Sequence, residues 1–206
     1  TKGQYSPTSE LGKVTRSTPM GSLDRPFNPL ALALGSGATF VCRTIDIETK
    51  HLQAIISRSY SHKGTAFIEI YQNCNIFNDG AFAPMTNKES KADKVLWLEN
   101  GQPMLFGSKQ NKGIRLDGNK PIVVTIGKKW SVDDLLVHDE EDYVIASLLS
   151  NMTHQDDFPD PIGVLYAIDA PTYEDLMLDQ IDKAVKQKGI GSVQDLLDAG
   201  DTWVVK

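Results

Sequence analysis

The spacing of apolar residues changes several times along the chain. Residues 1–25 show no period. Pro7, Gly12, Pro19 and Gly21 break them, with Pro26 just beyond, while Tyr5, Leu11, Val14, Met20 and Leu23 punctuate an otherwise polar stretch. A structureless run of that length inside a compact domain is usually either functional or disordered. Its low charge and scattered apolar anchors favour a functional loop. From Asp24 the pattern sharpens. Asp24 reads as a helix cap with Pro26 in the first turn, and "FNPLALALGSG" reads as a short apolar helix ending at Gly35. "TFVCRT" (Thr39–Thr44) is a β-branched and aromatic run that fits a buried strand. "IETKHLQAIISRSYSHKG" predicts a helix with Leu52, Ile55, Ile56 and Tyr60 on its inner face and Gly64 at its end. "AFIEIYQ" (Ala66–Gln72) is a second strand. Helix, strand, helix and strand with short links predict an α/β fold with a parallel sheet.

Beyond Cys74 the texture changes. "KVLWLENGQPMLFG" predicts two strands joined by a hairpin turn at Asn100-Gly101, and "GIRLDGNKPIVVTIG" a second turn at Asp117-Gly118-Asn119. Together these make a β-rich unit over 94–127. Ser131 reads as a cap for either one interrupted helix or two, the second over Glu140–Met152. "DDFPDPIG" reads as a loop, with Asp156, Asp157 and Asp160 in it, and "VLYAID" as a strand. "TYEDLMLDQIDKAVKQKG" predicts an amphipathic helix with Leu176, Ile181, Ala184 and Val185 inward and Gly189 at its end. A short helix, "SVQDLLDAG", and a β-like tail, "DTWVV", close the chain.

Composition narrows the function classes. Of 206 residues, 40% are hydrophobic and 23% charged, which is ordinary globular usage. A net charge of −6 gives no broad basic footprint, so nucleic acid is not an expected partner. No run reaches the roughly 18 apolar residues of a membrane helix, and no leader pattern is seen at the start. Two distant cysteines do not make a disulfide scaffold, so a cytoplasmic, reducing setting is expected.

The chemical candidates are few. "GSGAT" (Gly35–Thr39) follows a helix and precedes a strand, the reverse of a phosphate loop, and reads as a helix end. Cys42 lies within an apolar run and reads as a small buried hydrophobe. Cys74 follows a strand, where open α/β sheets place ligands. One thiolate cannot hold a cluster alone, so its fellow ligands must come from elsewhere. His51, His62, His138 and His154 lack metal-ligand spacing and read as solvated. "HDEEDY" (138–143) could hold a cation but more simply complements a helix start. In "TKGQYSPTS", Lys2, the backbone around Gly3 and the hydroxyls of Thr1, Ser6 and Thr8 suit an anion, although such clusters are also ordinary turns.

Taken together, "TKGQYSPTS", "STPMG…PFNPLALALG", "ATFVCRTID" and "FIEIYQNCNIFND" resemble the β subunit of thiamine diphosphate-dependent 2-oxoacid:ferredoxin oxidoreductases, nearest to the 2-oxoglutarate type. The resemblance implies the C-terminal part of a thiamine diphosphate-binding parallel-sheet domain over 1–80. A smaller β-hairpin-rich and helical extension follows over 81–206. It implies that Thr1, Gly3, Gln4, Ser6 and Thr8 line the cofactor diphosphate and its Mg²⁺, with Pro7 in the same loop. Lys2 would pair with the distal carboxylate of a dicarboxylate substrate. Cys74, in its setting with Phe77 and Asn78, would be one ligand of a 4Fe–4S cluster. The acidic Mg²⁺ motif, an Asn pair and a Cys-x-x-Cys pair would lie upstream of Thr1. The implied reaction is oxidative decarboxylation, with electrons passing through the cluster to ferredoxin and the acyl group to coenzyme A. It needs an α subunit and no general base from this chain. Pyruvate or a branched-chain oxoacid as substrate is an alternative. So is a non-catalytic role with residues 80–206 as an interaction module.

Overall fold

The computed structural model describes residues 3–153, 155–203 and 205. The chain forms two compact units, 1–169 and 170–206.

In the first unit, helix α1 (Pro29–Gly35) is capped by Asn28, whose Oδ1 accepts the Ala31 N–H at 3.1 Å, with Pro29 preset for the first turn. The cap is therefore Asn28 and not Asp24, whose carboxylate accepts the Tyr5 hydroxyl at 2.7 Å. Asn28 Nδ2 also donates to the Ser150 carbonyl at 2.8 Å, fastening the start of α1 to a later helix. Ser36 and Gly37 end α1, as "GSGAT" predicts.

Strand β1 (Phe40–Ile45) is buried at every position. Helix α2 (Thr49–Ser61) returns the chain to β2 (Ala66–Tyr71), which pairs with β1 in parallel. Ile55 of α2 is buried and Leu52 half-buried, but Ile56 and Tyr60 point to solvent, so the inner face is narrower than predicted. Short helices α3 (Ala83–Thr86) and α4 (Lys91–Lys94) lead into β3 (Val95–Trp97).

At β3 the hairpin prediction fails. Val95 and Leu96 are almost wholly buried, and β3 joins the main sheet beside β7 (Asp160–Ala167), in parallel. Strand β4 (Leu105–Phe106) pairs instead with β5 (Lys112–Asp117). The turn at Asn100-Gly101 exists, but its backbone bonds go elsewhere. Gly101 N–H donates to His138 O at 2.8 Å, and His138 N–H donates to Gln102 O at 2.9 Å. The second predicted hairpin forms as expected: β5 and β6 (Lys120–Thr125) are antiparallel in register from Lys112↔Thr125 to Asp117↔Lys120.

The main sheet has the order β2-β1-β7-β3, with β7 antiparallel to β1. It is mixed, and it draws on strands from both sides of residue 80. The segment read as a loop at Asp160 is the start of β7. A 3₁₀ turn over Val132–Asp134 carries the predicted Ser131 cap, and α5 (Tyr143–Ser150) begins after Asp142, which accepts the N–H groups of Val144 and Ile145. The largest core cluster joins α1, β1, α5 and β7 through Leu30, Val41, Leu149 and Leu165.

The second unit contains α6 (Tyr173–Lys188), capped by Thr172 and ended at Gly189, and α7 (Val193–Leu197), closed by a Ser192–Asp195 capping box. Leu176, Ile181, Ala184 and Val185, predicted inward, are exposed. Asp201–Trp203 form no strand, and Val204 lies outside the described residues.

Candidate functional site

Two loops build the site. In the first, Thr1 and Lys2 lie outside the described residues. Gly3 turns the backbone with φ +81°. Ser6 N–H donates to Ser9 Oγ at 2.9 Å, and the Ser6 hydroxyl lies 3.2 Å from the hydroxyls of both Thr8 and Ser9. Phe27 N–H donates to Pro7 O at 2.7 Å, anchoring the loop just ahead of α1.

The chain then doubles back as a ribbon over 10–22. Gly12 N–H donates to Ser22 O at 2.8 Å, and Ser22 N–H donates to Lys13 O at 3.0 Å. The buried Ser22 hydroxyl donates to Glu10 O at 2.9 Å and accepts the Lys13 N–H at 3.1 Å. Gly21, at φ +93°, passes so close to Gly12 that a Cβ would sit 2.8 Å from the Gly12 carbonyl oxygen. The ribbon is thus held by backbone contact and by a satisfied buried hydroxyl.

The second loop follows β2. Asn73 clamps it: its N–H donates to Asp46 Oδ2 at 3.2 Å, its Nδ2 to Asp79 Oδ1 at 2.8 Å, and its Oδ1 accepts the Gly80 N–H at 3.0 Å. Inside the clamp, Asn78 N–H donates to Cys74 O at 2.9 Å, bending the chain around the Cys74 side chain. The thiol is exposed. Hydrogen bonds from the backbone N–H groups of Phe77 and Ile76, with a smaller one from Asn78, hold its pKa below the usual thiol range. An accessible sulfur ringed by amide donors fits a thiolate metal ligand. Among the described residues no group of three His, Cys, Asp or Glu is arranged to hold a metal.

The loops meet across a cavity of about 440 Å³, with Gly3, Gln4 and Ser6 on one side and Cys74, Phe77 and Asn78 on the other. A second cavity of about 570 Å³ adjoins Gln4 and Ser6, walled by Asp24, Arg25 and Phe27. The structure therefore gathers Gly3, Gln4, Ser6 and Cys74. Thr8 lines neither cavity and touches the site through the Ser6 hydroxyl.

Other candidates resolve differently. Cys42 is fully buried, and burial pushes its thiol up to about 12, as its apolar setting predicts. The histidines are not simply solvated. His138 is buried, with Nε2 2.8 Å from Val164 O, in a 136–138 segment whose backbone pairs with Gly101, Gln102, Met104 and Ile114. His51 and His62 are half-buried against the hydroxyls of Thr44 and Thr39, at 2.7 and 2.8 Å. His154 lies outside the described residues. In the acidic run, Glu140 is buried in a pair with Arg58 and Asp142 caps α5.

No family model matches the chain. A 2-oxoglutarate oxidoreductase subunit KorB of Mycobacterium tuberculosis is 41% identical over 209 residues, covering 100% of this chain and 56% of the relative. The chain is similar to β subunits of 2-oxoacid:ferredoxin oxidoreductases. A 2-oxoacid:ferredoxin oxidoreductase subunit beta of Saccharolobus solfataricus is 47% identical over 79 residues, which are 38% of this chain and 26% of that one. Among solved structures, the 2-oxoglutarate:ferredoxin oxidoreductase of Magnetococcus marinus, with 2-oxoglutarate, coenzyme A and succinyl-CoA bound, superposes with a TM-score of 0.61. That match has 24% identity and covers 96% of this chain and 52% of the other, so it speaks for the fold. The chain thus spans about half the length of the relatives that it matches over nearly all of its own residues.

Proposed function

We propose that the chain provides the cofactor-facing loop and one cluster thiolate of a 2-oxoacid:ferredoxin oxidoreductase. Its substrate is 2-oxoglutarate, its acyl acceptor coenzyme A, and its partners an α subunit and ferredoxin in the cytoplasm. The observation that carries this reading is the shared cavity, where the loop of Gly3, Gln4 and Ser6 faces the loop of Cys74. Residues 1–80 hold these two loops, and the extension over 81–206 contributes β3 and β7 to the main sheet.

When bound, thiamine diphosphate with Mg²⁺ supplies the electron sink for decarboxylation, and a 4Fe–4S cluster takes the electrons singly. This chain binds and orients. The resemblance would set Thr1, the Gly3 backbone, Gln4 and the Ser6 hydroxyl to hold the diphosphate, with Thr8 restraining Ser6 through its hydroxyl. Lys2 would pair with the distal carboxylate of the substrate, a charge-assisted contact that would favour a dicarboxylate. Cys74 would be one ligand of such a cluster, with its thiolate charge stabilised by the amides of Phe77 and Ile76, and the other thiolates would come from outside the described residues. No side chain here is assigned as a general base.

The test uses the intact complex. Cys74→Ser is expected to remove the cluster's iron and its low-temperature resonance signal while thiamine diphosphate binding persists. Full iron content in that variant overturns the assignment. Lys2→Met is expected to cut the preference for 2-oxoglutarate over pyruvate at least tenfold, and an unchanged preference removes Lys2 from the substrate pocket.

A further inference from the structure

Lys13 stands between the two loops. Its Nζ donates to Asn78 Oδ1 at 2.7 Å and to Glu10 Oε1 at 2.8 Å. Its backbone is fixed from three directions. The N–H donates to Ser22 Oγ, while the carbonyl accepts from Ser22 N–H and from Thr18 Oγ1, both at 3.0 Å. The side chain is only 27% exposed, so its charge is incompletely screened. Asn78 is the residue whose N–H folds the loop back onto Cys74. An ammonium is thus fastened to the turn that begins at the exposed Cys74, and it lines the same cavity as Cys74, Gln4 and Ser6.

We propose that Lys13 is a positioning residue for electron transfer, holding a fixed positive charge beside the cluster ligated through Cys74 and tying the cofactor loop to it. This rests on the assignment of Cys74 above. Reduction adds one electron to the cluster. The electron originates in the oxidised 2-oxoacid and leaves on ferredoxin, and Lys13 exchanges no proton. A cation held in the shared cavity stabilises the more negative, reduced form over the oxidised one. Glu10, bound to the same ammonium, opposes it. The two side chains therefore act on the cluster with opposite signs, which a purely structural role would not produce.

The experiment is a redox titration of the cluster in the intact complex, followed by electron paramagnetic resonance. Lys13→Met is expected to lower the electron affinity about tenfold, equivalent to roughly 59 mV for one electron. Lys13→Arg is expected to stay near the native value, and Glu10→Gln to shift it upward. Equal potentials in the Met and Gln variants, or shifts of the same sign, overturn the proposal. If the Lys13→Met complex does not assemble, Glu10→Gln decides alone, and a potential at or below the native one overturns it. A native complex with no cluster signal dependent on Cys74 overturns the Cys74 assignment and this proposal together. A cluster whose potential ignores Lys13 and Glu10 overturns this proposal alone.

Discussion

Arg43 and Glu69 are register partners across the parallel pair β1–β2, and Arg43 Nε donates to Glu69 Oε2 at 2.6 Å. Arg43 is fully buried in the middle of the sheet. Its Nη1 reaches the Pro161 carbonyl at 3.4 Å and lies 3.9 Å from Asp160 Oδ1, both on β7. Its guanidinium lies 4.9 Å from the Tyr71 ring centroid, and Tyr71 stacks on Phe82 at 4.4 Å. One cation therefore links three adjacent strands and, through Tyr71, the segment that follows Cys74.

Arg43→Leu leaves the carboxylates of Glu69 and Asp160 beside an apolar side chain. Such a loss in a buried pair costs about 3–5 kcal/mol. Urea unfolding should show it as a lower midpoint at unchanged slope, with part of the loss recovered in the double variant with Glu69→Gln. A native midpoint in Arg43→Leu would remove this pair from the stability of the sheet.

The two cysteines should separate chemically. In iron-free protein at mildly alkaline pH, iodoacetamide is expected to alkylate Cys74 quickly and to spare Cys42 until the chain unfolds. The Cys74 thiol is exposed and held low by backbone amides, and the Cys42 thiol is buried and raised to about 12. Peptide mass spectrometry reads both sites, and comparable rates at the two would contradict the placement of Cys42.

Burial lowers the pKa of His138, only partly offset by the Val164 carbonyl and the charges of Glu140 and Asp139. The unfolded chain titrates near the usual histidine value of about 6.5. Above that value both states are neutral and the contribution to stability is complete. As pH falls below it, the unfolded state takes up a proton that the folded state resists, and stability declines toward the depressed folded value. His138→Gln should flatten the fall in melting temperature between pH 7 and pH 5, and an equally steep fall in that variant would place the sensitivity elsewhere.

Gly163, in β7, has φ +136°, and a Cβ there would lie 2.9 Å from Leu98 Cβ and 3.0 Å from the Leu98 carbonyl oxygen. Gly163→Ala combines a strained backbone with a clash against main chain, and about 1–3 kcal/mol of lost stability is expected from the strain alone. Thermal unfolding measures it, and an unchanged midpoint would show that β7 can move away from Leu98.

Much of the fold was legible because local pattern and tertiary demand agreed. The runs at Phe40–Ile45 and Ala66–Tyr71 became parallel strands, and Asp117-Gly118-Asn119 became a tight turn. The failures share one cause. Asn100-Gly101 carries a hairpin's local chemistry, yet the burial gained by Val95 and Leu96 beside β7 outweighs it. A distant strand that selects β3 leaves no mark within a short window. The apolar stripe of α6 predicts an inner face, but within its own unit nothing covers it. The resemblance pointed to Gly3, Gln4, Ser6 and Cys74, and the structure brings these four around one cavity. Lys13 was not, because its place depends on a ribbon closed by Ser22 and on Asn78, far along the chain. Arg43 was hidden for a similar reason: within an apolar run, only its partners on two other strands explain a buried charge.

The position of β7 between β1 and β3 has a consequence for how the chain matures. The unit of β1, α2 and β2 is local and can form early, but its free edge waits for residues 163–167, which pair with residues 40–43. Closing so long a loop makes this pairing slow and entropically demanding. Until then β1, wholly buried in the finished sheet, offers its unpaired backbone to any strand nearby. The critical kinetic competition during synthesis is therefore between the arrival of one late strand and the capture of that edge by another molecule.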